Sequence, residues 1–151
     1  MTWDGAMTTL AANLTTAGAD VTPKVVKIVR GEPDALSTDL IAYWMGPGTR
    51  QSSTGANTLT KVNIERGVTI TAYLRGATRA ETLSATLESR LIALEAAIFN
   101  RLWADADLGG NAIGISIDGT EYGWIDIAGQ LARVVSLVVW IDLAEVSTIS
   151  L

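Results

Sequence analysis

With neither histidine nor cysteine among its 151 residues, this chain lacks the commonest general base, the commonest metal ligand and the thiolate nucleophile. Carboxylates must carry any proton transfer or hard-metal ligation. Two pairs have suitable spacing, Asp105 with Asp107 and Asp118 with Glu121. Both lie where a helix exit and a turn ordinarily place acids, so spacing alone favours a structural role over catalysis. Asp118-Gly119-Thr120 is too short for a calcium loop and lacks its alternating ligands. Ser52-Ser53 has no imidazole to activate it. The glycine-rich run that starts at Gly46 has no Gly-Lys-Ser/Thr ending, so it does not read as a phosphate cradle. The residues therefore predict no catalytic, cofactor-binding or metal site, and the chain is not expected to be an enzyme.

Composition narrows the class further. A formal net charge of −5 opposes sequence-specific nucleic-acid binding, which needs clustered Lys and Arg. Hydrophobic residues make up 48% of the chain, yet no run of about 18 apolar residues could span a bilayer. The start, Met1-Thr2-Trp3-Asp4, lacks the basic and apolar regions of a secretory leader. One domain over residues 1–151 is expected, with apolar content left over for subunit contacts.

The elements that would position these residues are legible as periodicities. Leu83, Leu87, Leu91, Leu94, Ile98 and Leu102 share one face of a helix running from Thr78 to about Asp105, and Thr78 with Glu81 forms a capping box at its start. Trp3, Met7, Leu10 and Leu14 predict a short N-terminal helix ending near Gly18. Strand patterns cover Lys24–Arg30, Leu40–Met45, Lys61–Glu65, Val68–Arg75, Ile113–Ile117, Tyr122–Ile127 and Gln130–Leu143, the last apolar enough to be central in a sheet. Lys61–Arg75 reads either as one bent strand or as a hairpin around Arg66-Gly67. Asp118-Gly119 reads as a hairpin turn. Gly46–Thr60, polar and glycine-rich, reads as a mobile loop that a partner would order, with Arg50 and Gln51 as its polar contacts.

The long helix has other faces. Glu81, Glu88 and Glu95 line one flank of the leucine stripe, and Arg79, Arg90 and Arg101 line the other. Ile92, Phe99 and Trp103 lie well away from the stripe. They are either scattered exposed side chains, part of a helix enclosed within its own domain, or a subunit contact in which Glu88 and Arg90 fix orientation.

In this order of elements, with the exit Asp105-Ala106-Asp107-Leu108-Gly109-Gly110, the chain resembles the tail terminator proteins of long-tailed bacteriophages, the group that includes minor tail protein U of phage lambda. Related proteins occur in gene transfer agents. The resemblance implies an α+β fold, a mixed and mostly antiparallel β-sheet packed against one long helix and a short N-terminal helix. It implies a homo-oligomeric ring, a hexamer, that caps the tail tube in the virion neck and presents the head-tail joining surface to a head-completion or connector protein. DNA could pass through such a ring, which assembles in the host cytoplasm. Other neck proteins, in head closure or tail completion, share this layout. Outside this group the alternatives are a small α+β ligand-binding protein or hydrolase and a monomeric binding module.

Overall fold

The structure is a computed structural model that describes residues 2–52 and 61–148, with side chains described for all of these except 61, 62 and 146–148. Thr2 caps the first helix, α1 (Trp3–Ala19), its hydroxyl accepting from the Gly5 amide at 3.0 Å. The strands β1 (Lys27–Arg30), β2 (Leu40–Gln51) and β3 (Lys61–Arg75) follow. Two helices, α2 (Arg79–Thr82) and α3 (Ala85–Ala104), then lead to β4 (Gly114–Ile117), β5 (Glu121–Ile127) and β6 (Gln130–Thr148). The result is the α+β class expected.

The strands form one sheet in the order β1-β2-β3-β6-β4, with β5 also paired to β6. Only β1 and β2 run parallel; every other pairing is antiparallel. The apolar β6 is central, as its sequence requires, with β3 along one side and β4 and β5 end to end along the other. Lys61–Arg75 is a single strand, with an irregularity in its pairing to β6 between Ile64 and Glu65.

Alternation sorts the side chains of each strand to opposite faces. Val68, Ile70, Ala72 and Leu74 of β3 join Val135, Leu137, Val139 and Ile141 of β6 in the main core. Against this face lie Leu87, Leu91, Leu94, Ile98 and Leu102 of α3 and Met7, Leu10 and Leu14 of α1, all buried. A smaller cluster on the other face, Leu36, Leu40, Ala42, Tyr73 and Ala132, has no helix over it.

Three sequence expectations need correction. The long helix is broken: Ser84 starts α3 with its own cap, accepting from the Leu87 amide at 3.2 Å, and the break turns Leu83 out to solvent. A serine hydroxyl that can satisfy a helix-start amide makes a second start competitive with continuation. Asp118-Gly119 is not a hairpin turn, because β4 and β5 both pair with β6. The tight turn lies at Ala128-Gly129, both with positive φ, where Gly129 donates its amide to Asp126 at 2.8 Å. Finally, Gly46–Gln51 belongs to β2 rather than to a loop. A bulge carries the strand past the glycines, since Met45 faces Val68 whereas Thr49 faces Arg66. Gly46 and Gly48 take positive φ there, and a Cβ on Gly67 opposite would stand 2.9 Å from Pro47, so the bulge requires glycine on both strands. The rest of the expected mobile loop, 53–60, lies outside the described residues.

The helix exit is an anchored turn. Leu108 is fully buried, and Asp105 accepts from the Gly109 amide and from Asn13 of α1, both at 2.8 Å. Hydrogen bonding, from Asn13 most of all, holds the Asp105 carboxyl below its usual range. Because Leu94 is wholly enclosed between α3 and the sheet, Leu94→Ala is expected to destabilise the fold by roughly 2–5 kcal/mol in chemical denaturation. A loss under about 1 kcal/mol would mean that the stripe is not the core.

Candidate functional site

Two surfaces outside the core concentrate the chemistry. The first is on the sheet face without helices, where the bulge in β2 swings Arg50 over its own sheet. Its Nε donates to Glu65 of β3 at 3.1 Å and its terminal nitrogen to Ser116 of β4 at 2.6 Å, with Asp118 at 3.6 Å. The guanidinium lies 4.4 Å from the ring centre of Trp140 on β6, a cation–π distance. The Trp140 indole donates to Asp118 at 2.9 Å. Beside them Ser52 donates to Asp142 at 3.1 Å. One planar cation thus ties β2, β3, β6 and β4 together.

This arrangement engages Asp118, one of the four acids singled out by spacing. Asp118 faces the indole and the guanidinium, and Glu65, only 5% exposed, is paired by Arg50. Asp118 and Glu121 do line one depression of about 300 Å³ with Thr69, Ser136 and Val138. Among the described residues no three Asp or Glu side chains gather in a way that could hold a metal ion. Of the two expected loop contacts, Arg50 is committed to this latch and Gln51 is exposed at the end of β2.

The second surface is the β5 side of α3. Glu88 reaches Arg133 of β6 at 3.8 Å, and Glu95 accepts from Thr120 at 3.0 Å and from the Tyr122 hydroxyl at 2.9 Å. The acidic flank of α3 therefore faces β5. Ile92 and Phe99 lie three and four residues from Glu95, on the same side of the helix, and Trp103 is one turn further. Phe99 is half-buried; Ile92 is exposed, and Trp103 is 56% exposed. On β5, Tyr122 and Trp124 turn to the helix side and are 56% and 55% exposed. Arg90 and Arg101 face the other way, the first bound to Asp39 at 2.8 Å and the second near Asp20 at 3.8 Å, whereas Arg79, on α2, lies over the Trp124 ring at 6.0 Å from its centre. Arg90 is thus a fastener within the subunit.

Sequence reasoning missed Glu65, Trp140, Tyr122 and Trp124. Alternation along β5 could have placed Tyr122 and Trp124 on one face, but nothing local says that α3 stops short of covering them. No protein-family model matches the chain, and no curated protein matches it.

Arg50→Ala is expected to destabilise the fold by roughly 1–3 kcal/mol, because it leaves Glu65 buried without its partner. Arg50→Lys is expected to recover only part of this, since a point charge cannot serve Glu65, Ser116 and the Trp140 face together; urea titrations of both variants measure it. Tyr122 provides a pH test. Its hydrogen bond to Glu95 raises the phenol above the ordinary tyrosine range, so the bond's stabilisation is present below that range and is lost as pH rises through the folded value. Glu95→Gln is expected to bring the Tyr122 titration down toward ordinary tyrosine, read by ultraviolet tyrosinate absorbance. An unchanged titration would mean that the Glu95 contact does not form.

Proposed function

We propose that this chain is a structural subunit of a phage-type tail neck, a tail terminator that assembles as a homo-oligomeric ring, a hexamer, on the end of a tail tube. The observation that supports it best is the apolar rim along β5. Tyr122 and Trp124 are exposed on the β5 edge of the sheet, and Ile92 and Trp103 are exposed on α3, whose Glu95 bonds to Tyr122. Burying one such side chain contributes on the order of 1.5–3 kcal/mol, enough for a few of them to hold a contact. Phe99, one turn before Trp103 on α3, is half-buried. Glu88 and Glu95 are drawn into the subunit's own bonds, so in this reading apolar burial carries the strength of the contact.

The resemblance in layout and in the Asp105–Gly110 exit supports the same reading. That exit has a structural reason of its own, the buried Leu108 and the Asp105 cap, so it speaks for a shared fold more than for a shared site. In this reading the ring meets the tail tube on one rim and a head-completion or connector protein on the other, in a virion or a gene transfer agent. Its work is assembly, without catalysis. No helix is long and apolar enough to cross a membrane.

Trp103→Ser is expected to leave a folded subunit, because more than half of the side chain is exposed, and to weaken the ring by about tenfold or more. Light scattering after size exclusion, with circular dichroism as the folding control, measures both. A variant that unfolds while its surviving protein assembles normally would assign that face to the subunit's own core. Arg90 is unsuitable for the same test, because reversing its charge breaks the bond to Asp39.

A further inference from the structure

The sheet ends in two edges of unlike chemistry. At one edge, β1 and the residues just before it carry Lys24, Lys27 and Arg30 without an acid among them, although Glu32 and Asp34 follow in the next loop. Lys27 and Arg30 are exposed, and Arg30 has only a loose contact with Asp4 at 3.7 Å. The opposite edge is β4 and β5, where Glu121 and Asp126 are exposed. No Lys or Arg occurs from Leu102 to Ala132. An open edge strand carrying exposed Tyr122, Trp124 and Ile125 is a template for pairing with another strand.

Strand direction decides what can pair there. β1 runs with β2, β3 runs against β2, β6 against β3, and β4 and β5 against β6. β5 is therefore antiparallel to β1. Rotating copies of the subunit about an axis along the strands preserves every direction and keeps the helices on one side. Such a rotation brings β1 of one copy beside β5 of the next as an antiparallel pair, basic edge to acidic edge. α1 contacts β1, so the incoming copy would also carry a helix toward Tyr122 and Trp124, each more than half exposed.

We infer that the contact between copies of this chain is a head-to-tail sheet junction, with β1 of one subunit laid antiparallel along the β5 edge of its neighbour, so that the basic edge of one copy, with Lys27 and Arg30, meets the acidic edge of the next, with Glu121 and Asp126. Being heterologous, this contact leaves both edges satisfied only when the ring closes. The junction presupposes the ring, and it adds which two surfaces meet.

Two charge variants test it. Lys27→Glu with Arg30→Glu makes the first edge acidic; Glu121→Lys with Asp126→Asn makes the second basic while keeping an oxygen for the Gly129 amide. Each variant alone is expected to stay monomeric in light scattering. An equimolar mixture is expected to restore the wild-type particle mass, because every junction in an alternating ring then joins opposite charges. Should either variant lose its fold by circular dichroism, Lys27→Gln with Arg30→Gln and Glu121→Gln replace them, each expected to weaken assembly about tenfold at low salt and less at high salt. If wild type and the folded variants all form particles of equal mass, the junction is overturned while the ring stands. If the wild-type chain remains monomeric at high concentration and on tail tubes, the ring reading falls and the junction with it.

Discussion

Burial of the α3 stripe against one face of the sheet is the constraint on which the rest of this molecule depends. Leu87, Leu91, Leu94, Ile98 and Leu102 meet Val68, Ile70, Leu74, Val135, Leu137 and Val139, and that contact fixes the tilt of the helix and the register of the two longest strands together. A slip of one residue in either β3 or β6 would turn its apolar set to the opposite face. The register between them is correspondingly long and continuous from Glu65 to Arg75.

The same contact determines what is left uncovered. Two helices side by side, α1 and α3, are narrower than a sheet of six strands, so β5 lies beyond them and the opposite face has no helix at all. Each uncovered region is handled differently. On the bare face, Arg50 draws Glu65, Ser116, Asp118 and Trp140 into one hydrogen-bonded group, so polar groups that would be costly to bury singly satisfy one another. Along β5, Glu95 takes the Tyr122 hydroxyl and Arg79 lies over Trp124, yet both rings stay more than half exposed. Apolar surface retained beside an open edge is unfavourable in water.

Several carboxylates serve as fasteners in the described structure: Asp105 closes α3, Asp39 holds Arg90 and the Arg75 amide, and Asp126 shapes the turn before β6.

What the sequence by itself determined is whatever depends on neighbours along the chain. Steps of three and four located the buried side of α1 and α3, alternation located the core face of β3, and the unbroken apolar run of β6 placed it centrally. The Thr78 and Thr2 caps were equally local. Tertiary structure decided whatever depends on partners distant in sequence. Leu83 continues the leucine spacing, yet Ser84 ends that continuity because the core begins only at Leu87. Gly46–Gln51 has the composition of a loop, but β3 offers it a pairing edge, and its glycines then serve a bulge. Asp118-Gly119 has the signature of a hairpin, but β6 extends far enough to pair both flanking strands, so backbone hydrogen bonds override the local turn preference. Arg50 looked free for a partner because its own partners, Glu65, Ser116 and Trp140, are 15, 66 and 90 positions away. Only the closed sheet brings them within reach.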